Sequence, residues 1–116
     1  MKKRYLMSFQ DILESINRID TYTEGVEYDS FSHNQMMIDA VIRNLEIIGE
    51  ASRNVPEDIR EKYNEIPWRK MIGLRNLLIH EYFGVDESIV WEIIKTNLPK
   101  VKPNILKAIQ EEGDIS

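Results

Sequence analysis

The sequence predicts an all-α fold, an up-down bundle of four to five main helices. Apolar residues recur at three- and four-residue steps along nearly the whole chain. No run of alternating Val, Ile or Thr bounded by turn residues marks a sheet. Proline and glycine fall between the periodic segments, where they punctuate helices. The length of 116 residues suits one domain, residues 1–116, around one hydrophobic core.

Tyr5, Phe9, Ile12, Leu13, Ile16, Ile19 and then Tyr22 or Thr23 form one apolar face, which predicts a first helix over about 4–23. Gly25 and the run Asp29-Ser30-Phe31-Ser32 read as a break. A second helix is expected from about 33 to 53. Met37, Val41, Leu45 and Ile48 form its stripe, and Ala40, Ile47 and Ala51 widen it toward burial on two sides. Pro56 suits the first turn of a short helix to about Tyr63, with Glu57 and Asp58 favourable near its positive end. Pro67 likewise opens a helix over about 67–82, and Gly84 suits a left-handed stop. Asp86 is placed to cap the next helix, with Ile89, Val90, Ile93 and Ile94 expected inside. Pro99 and Pro103 limit the helix beyond it, and Val101, Ile105, Leu106 and Ile109 indicate a last helix to about 111.

Composition narrows the function classes. Apolar residues make up 42% and charged residues 30%, as in a folded globular protein. No apolar run approaches the roughly 18 to 20 residues that span a bilayer. The basic start Met1-Lys2-Lys3-Arg4 meets Asp11 too soon for a signal-peptide core. The absence of Cys excludes disulfides and thiolate metal sites, and fits a cytoplasmic protein. A net charge of −5 argues against a general nucleic-acid coat, but not against a basic cleft on an acidic body. Charge is uneven. Arg69, Lys70 and Arg75 face only Glu81 in segment 66–84, and Lys95, Lys100, Lys102 and Lys107 have no acid among them in segment 95–107.

The segment Arg75-Asn76-Leu77-Leu78-Ile79-His80-Glu81-Tyr82 carries the chemistry. Arg offers a planar fork of donors for phosphate, and His moves protons near neutral pH. Tyr82 adds a hydroxyl. Together they point to phosphodiester chemistry or phosphate binding. Asn76 and His80, one turn apart, share a helix face. Arg75 and His80 do not: five residues turn a straight helix by roughly 140° from alignment. Three arrangements can join them: a bent Arg side chain, a helix that unwinds near His80, or a two-fold dimer in which Arg75 of one copy meets His80 of the other. The first and last in combination are favoured. The bland alternative is a solvated Arg, a His bonded to the last carbonyls, and a core Tyr.

The block Gly73-Leu74-Arg75-Asn76-Leu77-Leu78-Ile79-His80-Glu81-Tyr82-Phe83-Gly84-Val85-Asp86 resembles the signature of the HepT-like branch of the HEPN superfamily. The family motif is Arg, four residues, His, one residue, Tyr, matched at Arg75, His80 and Tyr82. Asn44-Leu45-Glu46-Ile47-Ile48-Gly49-Glu50-Ala51 resembles the family's second helix, and Pro67-Trp68 precedes the motif as in the family. The resemblance covers essentially the whole chain. It implies a homodimeric, metal-independent ribonuclease toxin of a type II/VII-like toxin–antitoxin pair, with no cofactor. Its partner is a minimal nucleotidyltransferase antitoxin that transfers AMP to the motif tyrosine, here Tyr82. Arg75 and His80 are then the catalytic pair, and Asn76 orients ring or phosphate. A non-catalytic nucleotide-binding or adaptor subunit of a nucleotidyltransferase complex is the alternative; retention of all three motif residues favours the enzyme.

Other polar candidates rank lower. Glu46 and Glu50 lie one turn apart, a spacing that suits a metal or acid–base work, but ion pairing to Arg43, Arg53 or Arg75 outweighs this. A supporting role beside Arg75 is expected of them. His33 reads as a cap or surface residue, Gly49 as a site of close helix packing, and Met36-Met37, Trp68 and Trp91 as packing or interface anchors. The lysines of 95–107 read as a solvated face that can also guide RNA or meet an acidic antitoxin.

Overall fold

A computed structural model describes residues 4–80 and 86–114, without the side chains of Arg75, Leu77, Ile79, His80 and Asp114. The described residues form helices and turns and no strand: α1 (Arg4–Thr23), α2 (Tyr28–Ser32), α3 (Gln35–Arg53), α4 (Glu57–Lys62), α5 (Trp68–His80), α6 (Glu87–Glu92) and α7 (Leu98–Asp114), with a π-helical turn, Ile93–Asn97, joining the last two. Four helices of 20, 19, 13 and 17 residues (α1, α3, α5 and α7) carry the bundle. α3 packs against both α1 and α5, and α1 packs also against α7. No described helix is long and apolar enough to cross a membrane.

The predicted stripes are the buried ones. In α1, Phe9, Ile12, Ile16 and Ile19 are buried, and in α3, Val41, Leu45 and Ile48. Ile38 and Ile42 join the α3 face, while Met37 packs at its margin. Such i, i+3, i+4, i+7 spacing gives each helix one continuous apolar side, whose burial drives the association. Gly25 sits at φ 70° just past α1, a left-handed conformation that an L side chain adopts only with strain, although the space around it is open.

The structure differs from expectation at α2 and at the prolines ahead of α4 and α5. The break after Gly25 holds a short helix, α2, because Phe31 is fully buried against Trp91, with ring centroids 4.9 Å apart. Tertiary burial overrides a locally polar sequence there. Asn34 caps α3, its Oδ1 accepting from the Met37 N–H at 3.0 Å, and His33 takes the surface role, one of the two read for it. Pro56 stands just outside α4, with an extended ψ of 150°, and its carbonyl accepts from Ile59 and Arg60. Pro67 does the same for α5, its carbonyl accepting from Met71 at 3.0 Å.

The prolines of the C-terminal segment do not end the helix. α6, the π turn and α7 run on as one rod with Pro103 inside α7. Pro99 has no N–H, and its ring crowds the carbonyl four residues earlier. The wider turn immediately ahead of it, in which Leu98 N–H reaches Ile93 C=O, gives that ring room. Asp86 caps α6 as expected, accepting from Ser88 N–H at 2.8 Å. Val90 and Ile94 face the core and Ile93 packs at its edge, but Ile89 is 50% exposed, so the inward set is narrower than predicted.

α1 and α7 run antiparallel, pinned at both ends. At one end Lys95 Nζ donates to the Thr23 carbonyl at 3.1 Å and lies 4.9 Å from the Trp91 ring centroid, and Lys102 pairs with Asp20 at 3.5 Å. Two of the four lysines read as a solvated face are therefore clamps between helices. At the other end Glu112, 2% exposed, accepts from Tyr5 Oη at 2.5 Å, Tyr63 Oη at 2.5 Å and Lys62 Nζ at 2.7 Å. Burial alone would raise the Glu112 pKa. The bonds from Lys62, Tyr5 and Tyr63 and the Lys62 charge outweigh it and hold the carboxyl at about 2. The same bond, with burial, pushes Tyr5 up to about 12. Burial first, then the bond to Glu112, raises Tyr63 well above the usual phenol range.

Replacing Glu112 by Ala removes the acceptor that two phenols and an ammonium share. It is expected to cost roughly 2 to 4 kcal/mol in urea unfolding at pH 7. Because folding depresses this carboxyl, its stabilisation is complete above the ordinary value of 4.5 and fades as pH falls toward about 2. In Glu112→Gln that part of the acid sensitivity should disappear, as read from unfolding midpoints between those two pH values.

Candidate active site

α5 is seated by its apolar side. Trp68, Met71, Leu74 and Leu78 are buried at steps of three and four residues. At its N-terminal end the indole Nε1 of Trp68 donates to the Tyr63 carbonyl at 3.0 Å, and Phe9 meets both Trp68 and Tyr63 edge-on at 5.8 Å. Trp68 is thus a core anchor, one of the two roles its sequence context allowed. This seating leaves Asn76, Arg69 and Lys70 exposed.

The backbone is helical through His80, so the chain does not unwind ahead of that residue to bring positions 75 and 80 together. Their separation of roughly 140° around the axis stands. The side chains of Arg75 and His80, and all of Glu81, Tyr82 and Gly84, lie outside the described residues, as does the predicted end of the motif helix.

The second polar feature is on α3. Glu46 and Glu50 occupy successive turns and line a groove of about 370 Å³ with Asp11, Arg43, Ile47 and Asn54. Glu46 pairs with Arg43 at 3.9 Å, as the spacing suggested. α3 and α5 pack directly against one another, which places the helix of the Glu pair beside the motif helix. Among the described residues no group of three or more His, Asp or Glu side chains converges as a metal site. His33 lies exposed at the end of α2, its Nδ1 2.8 Å from the Asp29 carbonyl oxygen, far in sequence and role from the motif.

Charge sets α5 apart. Its sequence, WRKMIGLRNLLIH, has Arg69, Lys70 and Arg75 and no carboxylate, in a chain of net charge −5. α1, α3 and α7 each contain acids. An acid-free, cationic helix is a local attractor for a polyanion on a body that otherwise repels one. The clustering was visible in sequence; the exposure of Arg69 and Lys70 needed the fold.

Asn76 is exposed, so Asn76→Ala should change the unfolding free energy by less than about 0.5 kcal/mol. Thermal melts set beside phosphate-ester cleavage assays would then separate an effect on chemistry from one on folding.

The family described as Ribonuclease HepT-like matches residues 12–108. A Methanocaldococcus jannaschii protein whose name proposes an RNase is 49% identical over 106 residues, covering 90% of this chain and 97% of its own. A Thermococcus cleftensis protein whose name proposes ribonuclease HepT is 42% identical over 102 residues, 88% of this chain and 93% of its own. A further relative from Caldanaerobacter subterraneus subsp. tengcongensis, also with an RNase name, is 36% identical over 103 residues, 89% of this chain and 92% of its own. No solved structure matches at a significant level. With its helical bundle and its motif inside the matched region, the chain belongs to the HepT-like ribonuclease family of the HEPN type.

Proposed function

We propose that this single-domain chain is a metal-independent, cytoplasmic endoribonuclease toxin of a toxin–antitoxin pair. One observation carries the reading: Arg75 and His80, at the family's motif spacing, stand on a helix without carboxylates inside the matched residues 12–108.

RNA carries its own nucleophile. His80 of one copy takes the proton of the 2′-hydroxyl as its oxygen attacks the adjacent phosphorus. Arg75 holds the phosphate and stabilises the charge on the five-coordinate transition state. His80 of a second copy protonates the departing 5′-oxygen, leaving a 2′,3′-cyclic phosphate and a free 5′-hydroxyl. A homodimer supports this division of labour, because each chain has one motif histidine and positions 75 and 80 lie on different faces of α5. Asn76, on the His80 face by register, orients the ring or the phosphate. Glu46 and Glu50, on the helix packed beside α5, act from behind the site by holding the guanidinium.

Regulation falls to Tyr82. A minimal nucleotidyltransferase antitoxin joins the Tyr82 hydroxyl to the α-phosphorus of ATP; pyrophosphate leaves, and the phenol proton goes to a base. The attached AMP repels RNA phosphates by its charge and blocks the cleft by its size.

His80→Ala and Arg75→Ala should each slow RNA cleavage by at least about 100-fold, while wild type keeps its rate in excess chelator. Cleavage by His80→Ala at the wild-type rate under chelator would sink the mechanism. Intact mass after co-expression with the neighbouring nucleotidyltransferase tests the switch: one or more AMP increments, absent in Tyr82→Phe, are expected.

A further inference from the structure

We propose that the groove between α4 and α5 is an RNA subsite, in which Arg69 holds a phosphate some nucleotides away from the scissile bond. The inference rests on the ribonuclease reading above. The groove, about 390 Å³, is lined by Arg60, Asn64, Arg69 and Ile72, with Glu57 and Glu61 from α4.

Arg69 is the more exposed of the two cations in this groove. It is exposed, and among the described residues it enters no ion pair. Arg60 is half-buried and held back toward α3 by its Nε, which donates to the Val55 carbonyl at 3.0 Å. Glu57 and Glu61 repel an anion from the α4 wall, which directs a phosphate toward the α5 wall and Arg69. Half-buried Ile72, one turn along, offers apolar surface for a sugar or base, and Asn64 a donor and an acceptor.

Helical register connects this groove to the motif. Seven residues from 69 to 76 and eleven from 69 to 80 each bring the helix back to within roughly 20° of the same direction. Positions 69, 76 and 80 therefore stand on one face of α5. Exposed Asn76 shows that this face is turned to solvent. The rise from 69 to 80 is about 16 Å. A strand crosses that length in no more than about five nucleotides, even when stacked at about 3.4 Å per step. Lys70, the next cation, stands roughly 100° away. It supplies the same charge from a different face.

The test uses full-length protein carrying His80→Ala, so that RNA is bound but not cut, and fluorescence anisotropy with a single-stranded RNA of about ten nucleotides. Adding Arg69→Glu should weaken binding by roughly tenfold and reduce the dependence on salt by about one counterion. Lys70→Glu, the same change of charge on another face, should weaken it by no more than about threefold. The gap between Arg69→Glu and its parent should shrink when the RNA is shortened to a trinucleotide. Equal losses from the two substitutions would overturn the proposal, because charge alone would then explain them. No loss from Arg69→Glu, or a loss undiminished with the trinucleotide, would overturn it as well. If protein with an intact His80 cleaves no RNA, the ribonuclease reading fails. The dependence of RNA binding on Arg69 still decides whether the groove is an RNA site.

Discussion

The buried carboxylate of Glu112 is the contact on which the arrangement of the bundle turns. It draws together Tyr5 from α1, Lys62 and Tyr63 from the end of α4, and its own helix α7. A carboxylate removed from water needs several strong donors to remain ionised, and here it has two phenols and an ammonium. Those donors come from distant parts of the chain, so the charge is satisfied only when the parts are correctly docked. Tyr63 then carries the effect onward. Its carbonyl receives the Trp68 indole and its ring meets Phe9, so the seat of α5 is set by the same group of side chains.

The opposite end of the α1–α7 pair is held by softer contacts. Lys95 bonds the last carbonyl of α1 and stands beside the Trp91 ring, and Lys102 meets Asp20. The π turn belongs to this end, directly ahead of Pro99. It lets a proline-bearing segment run as one rod along α1, where a straight α-helix would crowd its own carbonyl. Between the two pinned ends, α3 lies with α1 on one side and α5 on another. The motif helix is thus held from below, by Trp68, Met71, Leu74 and Leu78, and left open above.

That division explains how an acidic protein can handle a polyanion. A net charge of −5 spread evenly would hinder RNA at any approach. The chain keeps its acids on other helices and leaves α5 with cations alone. The described side chains that α5 buries are apolar, and Arg69 and Lys70 remain in solvent. Charge placement of this kind acts on where a strand lands more than on how tightly it is held.

Much of the fold was legible in the sequence because burial of an amphipathic helix is a local pattern. The stripe of α1, the Val41–Leu45–Ile48 stripe of α3 and the Asp86 cap need only neighbours three or four residues away. The motif residues and the family they belong to were legible for the same reason: spacing in a linear sequence survives as register on a helix. Contacts between residues far apart in the chain were not legible. Nothing near Glu112 says that Tyr5, 107 residues away, will bond it, and nothing near Phe31 says that Trp91 will bury it. Lysines 95 and 102 looked like a solvated face until α1 lay beside them. The sequence by itself determined where the long helices run, which of their sides are apolar and which family the chain belongs to. Only the tertiary structure decided which polar groups are consumed in holding helices together and which, on the open face of α5, remain free to meet RNA, because that choice is made by partners that only packing brings within reach.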